Sequence, residues 1–113
     1  MATCKPINFG FSTADGELPV IHYKAGTLHF HFIDWQEKPV EFVAAGVLYF
    51  AWSDELFENG IRDDTTYEVL DSPLVVRYCE FKTVSDDETL RHFKLCFNAK
   101  GVFDVVCEGI RVI

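Results

Sequence analysis

His22, His29 and His31 are the side chains whose types and spacing could do chemistry in this chain. Imidazole nitrogens bind zinc or iron, and three histidines, or two with a carboxylate, can hold a catalytic metal with one position left open. The stretch Leu28-His29-Phe30-His31-Phe32 alternates imidazole with large apolar side chains, the pattern of a strand with one buried and one outward face. If Ala25-Gly26 is a two-residue hairpin loop, Lys24 lies opposite Thr27 and His22 directly opposite His29. Keeping Leu28, Phe30 and Phe32 in line with Val40, Phe42 and Ala44 then puts Glu41 beside His31 or Ile33. His22, His29, His31 and Glu41 are therefore either the metal ligands of a cupin-like enzyme, with zinc or iron as cofactor, or the polar outer face of an antiparallel sheet with no cofactor. A three-residue loop would turn His22 to the opposite face and dissolve the cluster. His92 reads as a lone histidine at the surface or rim.

Other chemistry finds little support. Cys79 and His92 can be named as a nucleophile and its base, but no G-x-S-x-G or similar motif surrounds them. G-x-G-x-x-G, P-loop and C-x-x-C patterns are absent from the sequence, and neither Asp63-Asp64 nor Asp86-Asp87-Glu88 has the spacing of a calcium loop.

The elements that must position these residues are mostly strands. Leu18 to Lys24 and Thr27 to Ile33 form the first hairpin, and Val40 to Ala44 and Val47 to Trp52 follow, parted by a kink at Ala45-Gly46. Val47 to Trp52 is apolar on both faces, which predicts either the most buried strand or a surface through which two copies pair as a homodimer. Ser72-Pro73 is a helix start, with Ser at the N-cap and Pro at the first helical position, and predicts a short helix near 73–82. Leu90 to Asn98 alternates again, with Phe93, Leu95 and Phe97 on one face and His92, Lys94, Cys96 and Asn98 on the other. A type I turn over Asn98 to Gly101 pairs it with Val102 to Glu108, and Gly109 to Ile113 is a last short strand. Residues 1–16 read as an irregular arm with a short extended piece around Ile7 to Phe11. The 113 residues, 49% hydrophobic with 11 Phe, suit one domain. The fold class expected is mainly β: an antiparallel meander of about seven strands forming a sandwich or half-barrel, with one short helix.

Charge narrows the partners. Eighteen Asp and Glu against ten Lys and Arg leave a net charge of −8, without the clustered cations that nucleic acid or an anionic membrane requires. The start MATCKPINFGFSTADGE has no apolar signal region, and no run of about 18 uncharged apolar residues occurs, so a cytoplasmic protein with reduced thiols is expected. Between Ser53 and Thr66, the acidic residues Asp54, Glu55, Glu58, Asp63 and Asp64 surround Leu56, Phe57 and Ile61. Apolar anchors inside a charged rim are the anatomy of a docking surface, which assigns Asp54, Glu55, Phe57, Glu58, Asp63 and Asp64 to a basic protein partner. The alternative is that Leu56 and Phe57 plug the end of the sheet assembly.

The segment Ile33-Asp34-Trp35-Gln36-Glu37-Lys38-Pro39-Val40, the strand Val47 to Trp52, and Leu90-Arg91-His92-Phe93-Lys94-Leu95-Cys96-Phe97-Asn98 with Val102 to Val112 resemble small bacterial β-rich proteins of the toxin-immunity type. The resemblance carries over no catalytic or binding residue. It implies a non-enzymatic protein-binding protein that neutralises a bacterial toxin through an acidic surface.

Overall fold

Ala25 and Gly26 both take left-handed φ angles, 51° and 82°, which is the two-residue turn whose twist matches its flanking strands. The computed structural model describes residues 3–14, 16–53, 65–81, 90–97 and 101–113. Among them the order is β1 (Thr3–Pro6), β2 (Glu17–Lys24), β3 (Thr27–Ile33), β4 (Pro39–Ala45), β5 (Tyr49–Ser53), β6 (Thr66–Leu70), α1 (Pro73–Phe81), β7 (Arg91–Phe97), β8 (Gly101–Cys107) and β9 (Gly109–Val112). With the tight turn in place, Lys24 faces Thr27 and His22 faces His29. The next hairpin aligns Leu28 with Ala44, Phe30 with Phe42 and His31 with Glu41.

Two antiparallel sheets result, one ordered β1-β6-β7-β8-β5 and the other β2-β3-β4-β9, and neither closes into a barrel. Period-two alternation sends Leu28, Phe30, Phe32 and Phe42 from the four-stranded sheet toward Phe93, Leu95, Phe97, Phe103 and Val105 of the five-stranded one, as in a β-sandwich. Phe30 sits at the centre of this layer, its ring centroid 5.0 Å from Phe42, 5.6 Å from Phe97 and 4.8 Å from Phe103. Ile7, Phe9 and Phe11 of the irregular segment after β1 lie against the same cluster.

Several expectations need correction. Residues 1–16 are not wholly irregular, because Thr3–Pro6 pairs with Thr66–Leu70, itself a strand where no element was expected. Both are short and weakly alternating, and they are stabilised by pairing distant in sequence, β1 on β6 and β6 also on β7, rather than by local pattern. The connectivity is not a simple meander, since β5 crosses to β8 and β9 returns to β4. Val47 to Trp52 is not the most buried strand: β5 ends its sheet, and β7 and β8 are the strands buried on both faces. Gly101, at φ 132°, begins β8 where a Cβ would lie 2.6 Å from the Ser53 carbonyl oxygen and from Trp52 Nε1, so only glycine admits this close approach.

Replacing Phe30 by Ala removes the ring that four other phenylalanines touch, and a loss of about 3–5 kcal/mol in unfolding free energy is expected from urea titration.

Candidate functional site

The histidine cluster assembles in the expected register but stays open. His22 stands opposite His29 and His31 opposite Glu41, all exposed on the outer face of the four-stranded sheet. The side chain of Glu41 reaches diagonally to His29, with Oε1 3.7 Å from Nδ1, and the pair is about half in water. Among the described residues no three His, Cys, Asp or Glu side chains gather closely enough to hold a metal ion. The docking residues Asp54, Glu55, Phe57, Glu58, Asp63 and Asp64 lie outside the described residues, as do Asp86, Asp87 and Glu88.

A different set of polar groups converges behind the five-stranded sheet. His92 on β7 is 7% exposed and hydrogen-bonded at both ring nitrogens. Its Nε2 lies 2.6 Å from Asp104 Oδ1, and its Nδ1 lies 2.7 Å from Ser72 Oγ. His92 is thus not the lone surface or rim histidine that the sequence suggests. Its face of β7 also carries Cys96, and the neighbouring strand adds Val102 and Val106, all buried, so the imidazole takes its hydrogen bonds from protein partners.

Each partner arrives by a local rule. Asp104 faces Lys94 across the β7–β8 ladder, and His92 lies diagonally two residues away on the same face. Lys94 Nζ stands 3.5 Å from the same Asp104 oxygen, which places a positive charge beside the carboxylate. Ser72 comes from the far side, where β6 ends, Asp71 turns through a left-handed φ of 56°, and Pro73 opens α1. The Ser72 carbonyl accepts the first helical bond, from the Val76 N–H at 3.1 Å, as an N-cap residue does. Its hydroxyl is directed to His92 instead of the helix, and among the described residues the N–H groups of Leu74 and Val75 have no partner.

No protein-family model, curated protein or solved structure matches the chain. The chemistry therefore rests on the geometry alone. A carboxylate can only accept a hydrogen bond, so Nε2 of His92 carries the proton shared with Asp104. In the neutral ring Nδ1 is then an acceptor, and the Ser72 hydroxyl donates to it.

A groove of about 300 Å³ reaches this network, lined by Ser72 and His92 with Leu70, Val75, Val76 and Leu90. At one side Arg91 grips Glu68 through two hydrogen bonds, Nε to Oε2 at 2.9 Å and Nη2 to Oε1 at 2.6 Å, and lies 4.9 Å over the Phe93 ring. The hydrogen bond from Arg91 lowers the Glu68 pKa, and the same bond raises that of Arg91. Elsewhere, burial pushes the Cys107 thiol up to about 11, so it stays protonated and donates to the Gly109 carbonyl.

One signal for His92 and Asp104 was present in the sequence. Asp104 is the only charged residue within the apolar run Val102 to Cys107, and a lone charge in a strand with both faces buried needs a partner from the neighbouring strand. Ser72 carried no such signal, because its helix-capping role explained it fully.

Glu68 is held below the ordinary glutamate pKa, so its contribution to stability is complete above that value and disappears as the pH falls through the lower folded value. Arg91 is 38% exposed on its side chain and water screens the pair, which limits the contribution to about 1 kcal/mol. In urea titrations, Glu68→Gln should lower stability slightly at pH 7, and its curve should meet that of the unmodified chain below about pH 4.

Proposed function

We propose that this chain is a protein-binding protein whose partner is a basic bacterial toxin. The observation that carries the reading is the edge strand β2, where Leu18, Val20 and Tyr23 are exposed, Leu18 to 74% and Tyr23 to 47%. Phe50, also exposed, has its ring 5.4 Å from that of Tyr23, which extends the apolar surface onto β5. The exposed rings of Tyr23 and Phe50, side by side in water, mark a surface that a partner covers. A net charge of −8 supplies the complementarity, drawing in a basic partner and repelling acidic ones. The resemblance to immunity proteins supports a toxin as that partner. Among the described residues no helix is long and apolar enough to cross a membrane.

The direct test is titration of the purified chain against the toxin domain encoded beside its gene, together with growth of cells expressing both. Binding and rescue are expected, with Tyr23→Ala weakening the affinity about ten- to hundredfold. Asp63→Lys/Asp64→Lys should slow association several-fold at low salt and leave dissociation little changed. A neighbouring toxin that is neither bound nor neutralised, or a Tyr23→Ala chain that binds as tightly as the original, would contradict the reading.

A further inference from the structure

We infer that Ser72 is a nucleophile activated by His92 and Asp104, and that the groove above it admits small neutral esters. This goes beyond the binding reading and is independent of it. A serine hydroxyl attacks an acyl carbon when a neighbouring base takes its proton and a third group fixes and stabilises that base. The hydrogen bonds supply this order: Ser72 Oγ donates to His92 Nδ1 at 2.7 Å, and His92 Nε2 donates to Asp104 Oδ1 at 2.6 Å. The two ring nitrogens have exchanged the places they hold in the familiar serine triad, but either nitrogen can act as base once the other is held by a carboxylate. Asp104 is the positioning residue, and Lys94 Nζ stands 3.5 Å from its Oδ1.

The surroundings fit acyl transfer. Ser72 is 2% exposed, and the groove of about 300 Å³ reaches it together with His92. Such a volume is at the small end of ligand sites and suits a short acyl chain. Leu70, Val75, Val76 and Leu90 give it apolar walls, and Glu68 neutralises the Arg91 charge, so a neutral substrate is favoured over an acid. The first turn of α1 follows Ser72 directly, and among the described residues the N–H groups of Leu74 and Val75 have no partner, which makes them the donors available to an oxyanion.

In the reaction, Ser72 Oγ forms a bond to the ester carbonyl carbon while its proton passes to His92 Nδ1. Collapse breaks the bond to the alcohol oxygen, which departs with that proton. Water then attacks the acyl-serine, gives a proton to Nδ1, and releases the carboxylic acid as the proton returns to Ser72 Oγ. Asp104 keeps its hydrogen bond to Nε2 throughout.

The test is incubation of the folded chain with an alkyl fluorophosphonate, read by intact mass and peptide mapping, alongside hydrolysis of p-nitrophenyl acetate and butyrate. One phosphonyl group on Ser72 is expected. Ester turnover should be lost in Ser72→Gly, verified as folded by circular dichroism because the change also removes the hydroxyl that His92 Nδ1 bonds. Asp104→Asn, verified as folded by circular dichroism, should lower kcat at least a hundredfold, with little change in KM. The inference is overturned if Ser72 remains unlabelled in the folded chain, or if Ser72→Gly hydrolyses the esters as fast as the original.

Discussion

Both faces of the β7–β8 pair are buried, and that constraint shapes the most unusual part of the molecule. Phe93, Leu95, Phe97, Phe103 and Val105 fill the space between the sheets, while Cys96, Val102 and Val106 on the opposite face are also out of water. His92 and Asp104 belong to that second face. An imidazole and a carboxylate placed there must satisfy each other or destabilise the fold by several kcal/mol. They meet at 2.6 Å, and the remaining ring nitrogen draws the hydroxyl of Ser72 away from its helix.

The same network ties four elements into one unit. Ser72 joins the end of β6 to the start of α1, His92 belongs to β7, and Asp104 to β8. A bonded triad of this kind is worth more than separate pairs, because each bond fixes the geometry of the next. It also holds a hydroxyl and a base in fixed relation beside a groove, which is what nucleophilic catalysis requires of a scaffold. Far from it, the exposed apolar residues of β2 lie at the edge of the other sheet, so a docked partner and a groove ligand need not compete.

The fold was legible where the pattern was local. Alternation at Leu28 to Phe32 and the short Ala25-Gly26 loop defined the first hairpin, its register and its histidine face, and the Phe93, Leu95 and Phe97 face was equally clear. The β1 and β6 strands were not legible, since Thr3–Pro6 owes its conformation to Thr66–Leu70 some sixty residues away, and Thr66–Leu70 is held between it and Arg91–Phe97. His92 was misread for a related physical reason. Alternation separates the two faces of a strand but does not say whether the second is covered, and Cys96 and Val106 beside His92 show that it is. Ser72 was placed correctly at the helix start, yet the destination of its hydroxyl depended on a tertiary contact twenty residues away.

The most direct measurement is nitrogen NMR of the chain labelled at histidine, in which His22, His29 and His31 serve as exposed internal references. In its neutral form His92 should hold a single tautomer, with the proton on Nε2, Nδ1 accepting a hydrogen bond, and the N–H exchanging slowly with water. A His92 ring that averages between tautomers and exchanges as fast as the three exposed histidines would contradict it.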